Sequence, residues 1–142
     1  MALAAQSRDP WALVRQMLAF GTVGVAGFAI DAGTLTGMRL LGLGLIVGRV
    51  ISYLTAATCT WALNRRYTFT SKAGRGAFRE WLTFLVSQLF GAAFNLGLYG
   101  WLVTSSPMVA THPVIGVAAG SLAGMLVNFF VARKFVFKDI SA

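Results

Sequence analysis

Apolar residues run in four long stretches along this chain, and short polar clusters separate them. A helix needs about 20 apolar residues to cross a bilayer core of about 30 Å. The stretches at 16–38, 45–64, 81–103 and 113–132 all meet that length. None shows the period-two alternation of barrel strands, as LVSQLFGAAFNLGLYGWLV illustrates. The pattern predicts an all-α membrane protein with four transmembrane helices and one domain across residues 1–142. Trp11, Leu13 and Val14 follow Asp9-Pro10 and predict a short interfacial helix ahead of the first span. That N-terminal stretch does not read as a cleavable signal: its apolar run is too long for a signal core.

Composition closes off the soluble alternatives. Hydrophobic residues make up 57% of the 142 and charged residues 11%, against about 25% charged in a soluble domain. So few charges cannot cover a globular surface, and so much apolar content excludes a disordered chain. The formal net charge is +8. Its placement between apolar runs points to membrane orientation and anionic headgroups, not to nucleic acid. Arg8, Arg15, Arg65, Arg66, Lys72, Arg75, Arg79, Arg133, Lys134 and Lys138 fall on one side, and only Arg39 and Arg49 on the other. The positive-inside rule puts both termini and the central loop in the cytoplasm, with the short connections near 39–45 and 104–112 outside.

The two halves repeat. At an offset of 64, Arg15, Leu18, Phe20, Gly27, Ala29 and Gly33 meet Arg79, Leu82, Phe84, Gly91, Ala93 and Gly97, and Asp31 meets Asn95. Past the hairpin the offset becomes 68: Gly48 meets Gly116, and NRRYTF at 64–69 meets ARKFVF at 132–137. Each half holds two spans, so both enter from the same side as parallel-repeat helical hairpins. Small residues recur every fourth position, as in Gly116, Gly120, Gly124 and Asn128, or Gly48, Ser52, Ala56 and Thr60. Such faces let helices approach closely in lipid. They are expected to meet at the bundle centre, and a Gly33/Gly37 surface is expected to serve a homo-oligomer.

The chain lacks the makings of a catalytic centre, a metal site or a cofactor site. Its one histidine, His112, and one cysteine, Cys59, have no partner set around them. Glu80 suits the positive end of a helix N-terminus and needs no other role. Asp31 stands about 15 residues into the first span. A charge there is expensive unless paired or facing a cavity, which makes it a functional candidate. Arg49 should lie at nearly the same height. The two therefore form either a structural ion pair or part of a functional polar site in the outer half of the span. Asn95 offers both donor and acceptor. Arg65, Arg66, Arg133 and Lys134 end two spans on one side, where they either anchor the protein in anionic lipid or grip a phosphate.

An acidic first span, a second ending in Asn64-Arg65-Arg66-Tyr67-Thr68-Phe69, and a repeat running from Asn128-Phe129-Phe130 through Phe137 resemble the GtrA family. The resemblance covers about residues 15–138 and departs at Thr60-Trp61, where the first motif usually reads Asn-Phe. It implies a small four-span protein of the bacterial inner membrane, serving cell-surface polysaccharide synthesis. It further implies one of two roles: moving a polyprenyl-phosphate sugar such as undecaprenyl-phosphate glucose across the bilayer, or anchoring a partner glycosyltransferase. On the first reading Arg65, Arg66, Arg133 and Lys134 capture the phosphate, Asp31 and Asn95 contact the head deeper in, and Arg49 receives it beyond; Asn128 of the second motif is counted with them. A small multidrug exporter is the third reading, disfavoured by the charge bias and the repeat.

Overall fold

The computed structural model describes residues 10–69 and 76–138. Arg8, Lys72 and Arg75 lie outside the described residues. Among the described residues there are five α-helices: α1 (Pro10–Leu40), α2 (Leu45–Leu63), α3 (Ala77–Ser105), α4 (Pro107–Thr111) and α5 (Pro113–Val131). Among the described residues, four segments are long and apolar enough to cross a membrane. Their outward faces carry Leu18, Val25, Ile46, Phe94 and Leu122, all exposed. An apolar surface of this kind suits lipid and not water. The chain is a multi-pass membrane protein.

The N-terminal residues from Pro10 form no separate interfacial helix; they continue unbroken into α1. Nothing between Pro10 and Gln16 breaks a helix, because that proline sits at the first position, where its missing N–H is harmless. The longer outer connection of the second half folds as α4, with Pro107 opening it and Pro113 opening α5.

α1 packs along α2, and α3 along α5, while contact between these two hairpins is sparse. The small-residue faces work within each hairpin, not at a common centre. A Cβ on Gly124 would fall 2.7 Å from the Gly91 backbone oxygen, and one on Gly120 would fall 2.6 Å from that of Asn95. A Cβ on Gly27 would fall 2.3 Å from Thr60 Cγ2. Glycine at these points lets α5 approach the α3 backbone and lets α1 approach the Thr60 side chain of α2, leaving the space between hairpins open.

At the arginine-rich end, both α2 and α5 widen into a single π-helical turn, at 64–68 and 132–136. The N–H of Phe69 donates to the carbonyl of Asn64, and that of Phe137 to Ala132, each at 2.9 Å. The extra residue in each turn brings the two motif phenylalanines inward. Their rings stack at 4.6 Å and 14°. Phe20 meets Phe69 at 6.0 Å and 65°, and its repeat mate Phe84 meets Phe137 at 6.1 Å and 58°. The repeat is therefore carried by matched contacts as well as by matched letters. With Phe129, these rings form the buried core that joins the two hairpins.

Candidate functional site

A cleft of about 570 Å³ lies between the hairpins, within the range of about 300–1,000 Å³ typical of small-molecule sites. Phe20 and the aromatic core lie at its arginine-rich end. Its polar lining comes from all four spans: Asp31 on α1; Arg49 and Tyr53 on α2, with Asn64 just beyond; Gln88 and Asn95 on α3; Ser121 and Asn128 on α5.

Arg49 Nη1 donates to Asp31 Oδ2. The helical rise explains the meeting: α2 descends antiparallel to α1, and the long arginine side chain spans the remaining offset. The Asp31 side chain is 19% exposed and that of Arg49 55%. The guanidinium is thus only partly committed to its partner and keeps donors available to the cleft. Asn128 does two things at once. It lines the cleft, and its Oδ1 accepts the Gly91 N–H at 3.1 Å, holding α5 to α3. Thr60 is its repeat mate and packs on Gly27, the mate of Gly91. The Thr60 departure from the family motif therefore preserves the packing and drops the amide.

The four basic motif residues do not line this cleft. Arg65 Nε lies 3.4 Å from Glu80 Oε1, and Trp61 Nε1 donates to that same oxygen at 3.1 Å. Glu80 is 5% exposed, so it is a buried clamp between α2 and α3, beyond the role of a charge at a helix start. The Arg66 guanidinium lies over the Tyr67 ring and its Nε donates to the Tyr67 hydroxyl. Lys134 lies over Phe135. Arg66 and Lys134 are exposed, and Arg133 is half-buried. His112 is exposed beside Thr111, and Cys59 is half-buried within α2. Among the described residues, no three of His, Cys, Asp and Glu gather as metal ligands.

Sequence reasoning passed over Asn64 and Gln88. Asn64 is 2% exposed, and its Oδ1 has no hydrogen-bond partner among the described residues. The same holds for Gln88 Oε1. Gln88 is a lone amide inside LVSQLF, and that isolation in an apolar run was the available signal.

A family model described as GtrA/DPMS, transmembrane domain, matches residues 19–137. No curated protein matches the chain.

Proposed function

The chain belongs to the GtrA/DPMS transmembrane-domain family, which sets it among generally nonenzymatic membrane proteins of glycosyl-lipid pathways; from that premise we propose that it moves a polyprenyl-phosphate monosaccharide across the bacterial inner membrane. The cleft carries this reading: a charged and amide-rich space inside a bundle whose outer faces are apolar. A lipid-linked sugar leaves its tail in the bilayer while its head crosses. The protein need only shield that head from hydrocarbon. Arg66 and Lys134, with Arg65 and Arg133 beside them, gather the anionic head and neighbouring anionic lipids at one end. Asn128, Asn95 and Asp31 offer contacts along the cleft, and Arg49 takes the phosphate by charge-assisted hydrogen bonds. Each contact is weak enough to release its load, and the substrate gradient supplies the drive. A homo-oligomer through the Gly33/Gly37 surface would shelter the open side.

A second reading, a nonenzymatic subunit that recruits a glycosyltransferase, draws on the exposed Tyr67, Phe78 and Phe135 beside the basic residues. Purified protein in liposomes, given a labelled polyprenyl-phosphate sugar, separates the two. Movement by the protein alone supports translocation; movement only with an added transferase supports recruitment.

Orientation follows the charge bias, with the basic end cytoplasmic. In a Cys59→Ala background, cysteines at Leu41 and Thr111 should react with impermeant reagents from outside. Leu41 serves better than Gly42, whose φ of 80° strains any side chain. Outside labelling of a cysteine at Gly74 instead would invert the topology.

A further inference from the structure

Two side chains that line the cleft carry a buried acceptor atom without a partner among the described residues: Asn64 Oδ1 and Gln88 Oε1. An orphaned buried acceptor costs about 1–3 kcal/mol, so two on side chains lining one cavity point to what that cavity accepts. Its ligand must bring hydrogen-bond donors. An ionised phosphate diester and an isoprenoid tail bring none. Sugar hydroxyls bring several.

The heights agree. Gln88 is the repeat mate of Gly24, so both stand at the same level in their helices. Thr60 packs on Gly27, and α2 runs antiparallel to α1, so Asn64, one turn on from Thr60, falls level with Gly24. Gly24 itself lines the cleft, and a Cβ there would meet nothing within 4 Å. Of the cleft glycines, Gly27, Gly91 and Gly124 are filled against neighbouring helices, whereas Gly24 faces open space. Asp31, with the Arg49 guanidinium, stands seven residues further along α1, about 10 Å at 1.5 Å per residue. A monosaccharide with its phosphate fills that interval.

Building on the translocation reading, we propose that Asn64 and Gln88, around the space left by Gly24, form a hydroxyl-recognising pocket for the sugar ring, with the phosphate held two turns away at Arg49. The pocket makes the protein selective for the loaded lipid over the bare carrier. It also separates two roles that a structural amide would combine. If Asn64 served the fold, removing it would weaken the fold. As a ligand group it is a local burden, and its repeat mate Ala132 already occupies the matching π turn. Asn64→Ala should therefore melt no lower than wild type in mild detergent.

The experiment compares binding of a polyprenyl-phosphate glucose and the bare polyprenyl phosphate to purified full-length protein. Wild type should prefer the glucose lipid by about tenfold, in keeping with two neutral hydrogen bonds. The Asn64→Ala/Gln88→Leu double variant should bind both lipids equally, with affinity for the bare phosphate unchanged. If the double variant does not fold, Gln88→Leu alone should cut the preference by about threefold. Equal binding of the two lipids by wild type, or a preference that survives the substitutions, overturns the pocket and leaves the translocation reading standing. Failure of wild type to bind either lipid removes both.

Discussion

Gly124→Val should dismantle the second hairpin. A Cβ at this position lands 2.7 Å from the backbone oxygen of Gly91 and 3.1 Å from Asn95 Cβ. A backbone oxygen cannot rotate away, so α5 must move off α3. That shift also breaks the Asn128–Gly91 hydrogen bond and loosens Phe129, which anchors the aromatic core. Overpacking typically costs about 1–3 kcal/mol, and a branched side chain pressed on backbone belongs at the upper end. The expected result is a protein that loses its monodisperse peak in mild detergent and melts many degrees lower. Gly97→Val is the control, because a Cβ there meets nothing within 4 Å. Equal melting of the two variants would show that α3 and α5 do not depend on this approach. Gly91→Ala should fall between them: its Cβ meets the Asn128 side chain, which can change rotamer at the loss of one hydrogen bond.

Arg49→Gln should damage both assembly and transport. It leaves the Asp31 carboxylate without its cation inside the membrane, where an unpaired acid costs about 2.5–3.5 kcal/mol at the helix centre. It also removes the group assigned to the phosphate; losing a charge-assisted hydrogen bond of about 1.5–3 kcal/mol lowers transport by about 10- to 100-fold. Asp31→Asn should be gentler on folding, since the long Arg49 side chain can extend towards water. With its competitor gone, Arg49 should hold the phosphate longer: binding persists and transfer slows. The double variant Asp31→Asn/Arg49→Gln should recover stability but not transport. Yield, melting temperature and liposome flux on the four proteins check this. Recovery of full transport in the double variant would reduce the pair to a structural ion pair.

The four spans and their two-by-two pairing were legible because both rest on long-range regularities: apolar length, and landmarks at fixed offsets. The Asp31–Arg49 meeting was legible too, since helical rise alone brings the residues to similar heights. The π turns were not. A single widened turn leaves no period in the letters, and only the shared placement of Phe69 and Phe137 hinted at a common geometry. The cleft was hidden for a related reason. Small-residue faces announce close approach but do not say which helix approaches, and here Gly120 and Gly124 meet α3 within their own hairpin. Glu80 reads in sequence as a favourable charge at a helix start. Its burial against Arg65 and Trp61 depends on how α2 and α3 come together. Asn64 gained meaning only once its oxygen was seen buried and without a partner.

The central claim is that the sugar head passes through the cleft, and Gly24 tests it most directly. It lines the cleft with free space before it, so leucine there fills the path without pressing on the fold. Gly100 is equally unobstructed and lies outside the cleft lining. Flux of a labelled polyprenyl-phosphate sugar should be measured in liposomes holding wild type, Gly24→Leu or Gly100→Leu. Gly24→Leu should retain the wild-type melting temperature and lose at least about tenfold in flux, equivalent to about 1.4 kcal/mol at the barrier, while Gly100→Leu transports normally. Undiminished flux through Gly24→Leu would contradict the claim and place the path outside the cleft.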